Sequence, residues 1–175
     1  LRPHTWSKPK PLVSTAGKAT LGHVLDIVAT VKPLDQVEIS FIVGYLGDQV
    51  KEYMQKHYPE IEAHFFEQVE MKGQSHAIAL AKEKMVGPTL VVFVDTIIDT
   101  DLSFLNEEAA DAVIWVKEVD DPRRFGIVVV NDEGHVANMV EKPDSMENNL
   151  AIVGYYYFRE GKDLVAAIDT QIEKD

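Results

Sequence analysis

Residues 37–66 read VEISFIVGYLGDQVKEYMQKHYPEIEAHFF, and the fold is decided there. Val37–Val43 is rich in β-branched and aromatic residues and predicts a strand closed by Gly44. Asp48–Tyr58 places Val50, Tyr53, Met54 and His57 on one helical face and stops at Pro59. Ile61–Phe66 predicts a second short strand. Working outward, Leu21, Val24, Leu25 and Val28 recur at three and four residues after a turn at Ala16-Gly17, with Asp26 and Lys32 off that face and Pro33 ending the helix. On the other side, Gly73–Met85 predicts a third helix, with Ala77, Ala81 and Met85 on one face and Lys82 and Lys84 outward. Gly87-Pro88 breaks it. Leu90–Val94 (LVVFV) is a continuous apolar run, as expected of a strand covered on both faces. Helices alternating with strands argue for an α/β sheet with crossover helices.

The second half changes character. Ala112–Lys117, Gly126–Val130, His135–Glu141 and Ala151–Phe158 all predict strands, and Asn131-Asp132-Glu133-Gly134 is a hairpin turn signal between two of them. A last amphipathic helix, Leu164–Ile172, carries Leu164, Val165, Ile168 and Ile172 on its apolar face. The expectation is one α/β domain whose later portion is mixed or antiparallel.

Composition narrows the function classes. The 175 residues carry a formal net charge of −12, with 17 basic against 29 acidic side chains. A non-specific nucleic-acid binder needs a basic face, so nucleic acid is not the expected partner. Zero cysteines exclude a disulfide scaffold and a thiolate zinc site and are compatible with the cytoplasm, the expected compartment. No apolar run approaches the ~20 residues of a spanning helix, so no membrane segment is expected. The opening LRPHTWSKPKP shows no secretory signal.

A few residues could carry chemistry. Arg2, Lys8 and Lys10 lie among prolines expected to hold the backbone extended, which can aim cations at phosphates; composition alone fits a solvated basic loop better. Asp95 follows the LVVFV strand, and ligands of open α/β sheets gather beyond the carboxyl ends of strands. One carboxylate there suits Mg²⁺ shared with substrate phosphate, although a turn or cap role also fits. Asp99 and Asp101 read as loop or cap residues. Gly73, after Gln68 and before a helix, lets backbone approach a ligand closely, or simply punctuates the turn. Glu141-Lys142-Pro143 could grip a polyhydroxylated ligand or form a surface pair ahead of a turn. The histidines, among them His57, His64, His76 and His135, show no metal-ligand spacing.

Taken in order, these segments resemble the sugar-1-phosphate nucleotidyltransferases (nucleotide-sugar pyrophosphorylases), and their glucose-1-phosphate thymidylyltransferase-like members in particular. LRPHTWSKPKPLVSTAGK is similar to the family signature R-P-x-T-x-x-x-P-K-P-L followed by a G-K turn. QVEMKGQSHAIAL resembles its Q-x-x-x-x-G-T-[AG]-x-A segment, and FVDTIIDTDL the segment with its magnesium aspartate. DPRRFGIVVVNDEG, VEKP and NLAIVGYYYF follow its sugar-binding half. The resemblance implies a Rossmann-like, mixed and mainly parallel sheet flanked by helices, with an antiparallel sugar-binding portion. It implies a phosphate-stabilising role for Lys10, nucleobase contacts for Gln68 and Gly73, and Mg²⁺ ligation by Asp95. Gly126, Glu141 and Lys142 would contact the sugar and its phosphate, and Tyr156 would line the sugar pocket. The implied reaction joins a sugar 1-phosphate to a nucleoside triphosphate and releases pyrophosphate. Glucose 1-phosphate with dTTP or UTP is the expected pair, and a homo-oligomer is allowed.

The chain departs from the pattern at several points. The family's G-x-G-T-R loop and first strand should precede Leu1, and a second metal aspartate in a W-x-D-x-G-type segment should follow Asp175. Residues 1–175 are therefore expected to be a single catalytic domain truncated at both ends. Gln74 stands where threonine is expected and Val94 where a glycine is frequent. A non-catalytic homologue that binds a nucleotide sugar is the alternative reading. A glycosyltransferase using Asp99-Thr100-Asp101 as its D-x-D motif ranks last.

Overall fold

The computed structural model describes residues 7–174, so the expectation for Arg2 lies outside the described residues. Two compact units are present. Unit 1 comprises the described residues of 1–89, 94–110 and 159–175, and unit 2 comprises 90–93 and 111–158.

Unit 1 begins with a 3₁₀ turn over Lys10–Leu12, where an extended loop was expected. Leu12 N–H donates to the Pro9 carbonyl at 2.9 Å and Val13 N–H to the Lys10 carbonyl at 3.1 Å. Burial of Pro9 and Leu12 explains the difference, because the chain must turn to put both inward. Ser14–Thr15 (β1) and Lys18–Ala19 (β2) form a minimal antiparallel hairpin. Ala16 and Gly17 at its tip have φ of 50° and 84°, the turn whose twist suits paired strands. Helix α1 (Thr20–Val28) buries Leu21, Val24 and Leu25, as its periodicity predicts, but it ends at Val28 instead of running to Pro33, and Val28 is only half-buried.

The decisive strand–helix–strand stretch forms as read. Strand β3 (Glu38–Val43), helix α2 (Gly47–His57) and strand β4 (Glu62–Glu67) follow one another, and β3 pairs β4 in parallel, from Glu38 opposite Glu62 to Val43 opposite Glu67. Leu12, Leu21, Leu25, Val50, Met54 and Ile61 make the buried core over this pair. Phe41 stacks on its ladder partner Phe65 with ring centroids 5.1 Å apart. The third helix is shorter than expected: α3 covers Gln74–Ala79, and a separate 3₁₀ turn holds Lys82–Lys84. Ala81 and Met85 are buried as the spacing predicts, but Lys82 is drawn to Asp169 at 3.1 Å and Lys84 to Glu38 at 2.5 Å. These partners lie on other elements, and the tighter turn serves both. The last helix, α4 (Gly161–Ile172), starts earlier than its apolar pattern does, because Gly161 is buried and its N–H donates to the Gly87 carbonyl at 2.8 Å.

Unit 2 is built on antiparallel pairing. Strand β5 (Thr89–Val92) is half-buried, not the fully covered 90–94 strand expected, and ends as Phe93 N–H donates to the Gly154 carbonyl at 2.9 Å. Strands β6 (Ala112–Glu118), β7 (Gly126–Val130), β8 (Val136–Glu141) and β9 (Leu150–Phe158) complete a five-stranded sheet in the order β5-β9-β7-β8, with β6 also on β9. The hairpin at 131–134 forms, with Gly134 at φ 80°. Ile127, Val128, Ala151, Tyr155 and Tyr157 are buried, and the rings of Trp115 and Tyr155 meet edge-on at 6.3 Å. The mixed α/β architecture is thus divided: the parallel ladder is in unit 1 and the antiparallel sheet in unit 2.

Candidate functional site

In unit 1 the candidate groups ride on turns. Lys10 is exposed between the buried Pro9 and Leu12, so its ammonium is directed outward from a pinned backbone. Asp95 sits in the turn after β5, is exposed, and its carboxylate bonds to no other described side chain. Gln68 follows β4, and its N–H donates to the Val43 carbonyl at 2.7 Å, extending the β3–β4 pairing by one step. Its side-chain amide donates to the Gly73 carbonyl at 3.2 Å, closing residues 68–73 into one loop. Gly73 has φ 99°, where a side chain would be strained, and the space beside its Cα is open. The structure therefore brings Gln68 and Gly73 together at the carboxyl ends of the parallel strands. Tyr45, Val69 and Met71, in the loops that follow β3 and β4, are each more than 80% exposed, which strand periodicity does not report.

In unit 2 the candidate groups come together across a ladder. Gly126 opens β7 directly opposite Glu141, the last residue of β8. A Cβ at Gly126 would lie 3.1 Å from Glu141 Oε2 and 3.3 Å from Ile152 Cδ1, so glycine leaves the room in which the carboxylate lies. Lys142 N–H donates to the Phe125 carbonyl at 2.9 Å, and its Nζ is 3.2 Å from Glu141 Oε1. Lys142 also has φ 46°, a left-handed conformation that costs a side-chain-bearing residue about 1–2 kcal/mol.

Tyr156 faces Phe93 edge-on at 6.0 Å. Burial raises its phenol pKa, and the negative charge of the Glu141 carboxylate raises it further. Gly154 sets this up. The β6–β9 register shifts between Ile114 and Val116, Gly154 takes φ 85°, and a Cβ there would stand 3.1 Å from that of Phe93. Neither the kink nor the part played by Phe93 was visible in the sequence, where GYYYF reads as regular strand.

Asp101 acts as expected of a cap, accepting the Ser103 N–H at 2.8 Å. Asp121 does the same for Arg123 N–H at 3.2 Å and also pairs with the Arg123 guanidinium at 2.8 Å. That pairing holds its carboxyl down at about 2. Among the described residues the group of three metal-ligating side chains that converges is Glu38, Glu62 and His64, and Asp95 is not in it.

Comparison with known proteins extends over both units. Residues 1–174 match the sequence model of the family described as nucleotidyl transferase. The chain is 38% identical over 160 residues to the bifunctional protein GlmU of Methanocaldococcus jannaschii, which takes in 90% of the chain and 36% of GlmU. It is 30% identical over 164 residues to UTP–glucose-1-phosphate uridylyltransferase AglF of Haloferax volcanii, again 90% of the chain and 66% of AglF. The chain thus spans roughly a third to two thirds of these curated relatives. Among solved structures, apo UDP-glucose pyrophosphorylase matches with a TM-score of 0.81 at 17% identity, over 97% of this chain and 75% of that one. That likeness is one of fold, mixed α/β and Rossmann-like. No described helix is long and apolar enough to cross a membrane. A sequence match that runs through unit 1 and unit 2 alike makes the chain a member of the nucleotidyl transferase family.

Proposed function

We propose that the chain is the core of a sugar-1-phosphate nucleotidyltransferase, a cytoplasmic enzyme whose single catalytic domain includes both units. Unit 1 binds the nucleoside triphosphate and unit 2 the sugar 1-phosphate. The observation that carries this reading is the meeting of Gly126, Glu141 and Lys142 in unit 2: a carboxylate and an ammonium gathered beside a glycine. Such a set can bind sugar hydroxyls and a phosphate together.

The reaction forms a bond between a sugar-phosphate oxygen and the α-phosphorus of the triphosphate and breaks the bond to pyrophosphate. Phosphoryl-type transfer leaves the protein mainly positioning and charge stabilisation to provide. Gln68 and Gly73 hold the nucleobase, and Lys10 offsets the charge on the phosphates. Glu141 orients the sugar hydroxyls while Lys142 meets the sugar phosphate, and Tyr156 lines the sugar site. An exposed carboxylate with no side-chain partner among the described residues fits magnesium, which takes one or two carboxylates and completes its shell with water and phosphate oxygens. Asp95 would hold it, and magnesium when bound supplies charge neutralisation at the triphosphate. With a net charge of −12, local cations are needed to bring two polyanions together.

Glucose 1-phosphate with UTP or dTTP is the pair we put first, in keeping with the activity named for AglF. The test incubates the protein with a panel of nucleoside triphosphates and sugar 1-phosphates in Mg²⁺ and measures pyrophosphate. Release from at least one pair is expected. Nucleotide-sugar binding with no release from any pair would overturn the enzyme reading in favour of a non-catalytic homologue.

A further inference from the structure

At the amino ends of β3 and β4, the opposite ends from Gln68, a second group of side chains converges. Glu38 begins β3 and Glu62 begins β4, and the parallel register sets them directly opposite one another. His64 lies two residues along β4, on the same face as Glu62. Its Nε2 is 2.8 Å from Glu38 Oε1 and 3.4 Å from Glu62 Oε1. The ligand atoms of all three residues lie within 4.8 Å of one another. Lys84, from the 3₁₀ turn after α3, brings its Nζ to 2.5 Å from Glu38 Oε1 and 3.2 Å from His64 Nε2.

These contacts make incompatible demands on one nitrogen. If Nε2 carries its hydrogen, it donates to Glu38 and meets the Lys84 ammonium donor to donor. If Nε2 is bare, it accepts from Lys84, but its lone pair then faces the Glu38 oxygen at 2.8 Å. Like charges directly opposite on a ladder are destabilising as well, and Glu38 faces Glu62 there. A dication at the centre resolves all of this at once. It takes the Nε2 lone pair and one oxygen from each carboxylate, and Lys84 is displaced.

We propose that Glu38, Glu62 and His64 form a binding site for a divalent transition-metal ion of the zinc type, for which the Lys84 ammonium is a built-in competitor. The donor set selects the metal. Imidazole with two carboxylates suits Zn²⁺, whereas Mg²⁺ and Ca²⁺ prefer oxygen ligands alone. Around a metal with bonds of about 2.0–2.2 Å, neighbouring ligand atoms stand roughly 3–3.5 Å apart, close to the separations His64 already makes with Glu38 and Glu62. A fourth position remains open to water, since the Glu62 side chain is 70% exposed. Occupancy ties the amino ends of β3 and β4 together, and its expected effect is on the stability of unit 1.

The chelator-treated full chain titrated calorimetrically with ZnCl₂ tests this, with the thermal midpoint followed in parallel. One equivalent of Zn²⁺ is expected to bind and raise the midpoint, with Mg²⁺ doing neither through these residues. His64→Ala should weaken binding about tenfold or more, while His135→Ala, on the exposed hairpin of unit 2, should change nothing. Lys84→Met should tighten binding several-fold, which keeps the test decisive even if His64→Ala fails to fold. No saturable Zn²⁺ binding, binding unaffected by His64→Ala, or binding not strengthened by Lys84→Met would each overturn the proposal.

Discussion

Unit 1 presents Lys10, Gln68, Gly73 and Asp95 from turns at the ends of its elements, whereas unit 2 assembles Gly126, Glu141, Lys142 and Tyr156 across neighbouring strands. A group on a turn can be repositioned by a few local dihedrals and depends little on the rest of the fold. A group on a ladder is placed by register, so its position depends on every pair that sets that register. Backbone conformation does not divide in the same way: Lys10 has an ordinary backbone and Lys142 is held at φ 46°, but Gly73 of unit 1 stands at φ 99° and Gly154 of unit 2 at φ 85°. Substitution at Lys10 should therefore cost function without stability, and at Gly154 the two should be linked.

The largest effect is expected at Lys10. Lys10→Ala removes an exposed ammonium from a turn held by Pro9 and Leu12, so far-UV circular dichroism and the thermal midpoint should not move. Pyrophosphate release should fall about 100-fold or more, the scale of losing one charge-stabilising group in a transition state. Turnover within a factor of two of the parent would remove Lys10 from the proposed mechanism.

Gly154→Ala comes next and should behave in the opposite way. It puts a Cβ at φ 85° and 3.1 Å from that of Phe93, for a loss of about 1–3 kcal/mol in chemical denaturation. Because the kink aims Tyr156, affinity for sugar 1-phosphate should fall with stability. A variant that is destabilised yet binds sugar 1-phosphate normally would show that the kink serves packing alone. Lys142→Gly separates the two properties. Glycine relieves the left-handed strain, so stability should rise by about 1 kcal/mol, while loss of the ammonium raises KM for sugar 1-phosphate about tenfold. Unchanged stability would mean that the φ of Lys142 carries no strain, and unchanged KM would remove it from the sugar-phosphate contacts.

The same division explains what could be read from the sequence. Strand β3, helix α2 and strand β4 were legible because their apolar periods and their Gly44 and Pro59 breaks are local. So was the hairpin at 131–134. Helix α3 was over-extended because periodicity reports which face is buried and not whether the helix is continuous. Ala81 and Met85 are inward either way, and the break is set by Asp169 and Glu38 on distant elements. The two-residue strands β1 and β2 are too short to carry any period. At the candidate site, Gly73 and Asp95 stand out in the sequence through punctuation, a glycine before a helix and an aspartate after a strand. The facing of Gly126 and Glu141, and the gathering of Glu38, Glu62 and His64, are facts of register, and register is not written in either strand alone. His64 shows no metal-ligand spacing along the chain because its neighbours Glu62 and Glu38 lie beside it and across the ladder.

The smallest effects are expected in pH dependence, and they fall on unit 2. The Asp121 carboxyl is held at about 2, first by its hydrogen bonds from Arg123. Its folded pKa is below the ordinary carboxyl value, so the stabilisation is complete above about pH 4 and fades as the pH falls toward 2. Asp121→Asn should flatten that acid limb and leave the neutral region nearly unchanged, because exposed pairs of this kind contribute little. Tyr155 defines the other limb. Burial pushes its phenol up to about 12, so the folded state resists its ionisation. That stabilisation is complete below about pH 10 and is lost as the pH climbs from there toward 12. Phenolate absorbance should show Tyr155 titrating last, together with unfolding, and Tyr155→Phe should remove that last step. An acid limb unchanged by Asp121→Asn would mean that the Asp121–Arg123 contact does not persist in solution, and the turn that leads into Gly126 would then owe its position to buried Pro122 and to the backbone bonds of Phe125 with Pro122 and Lys142.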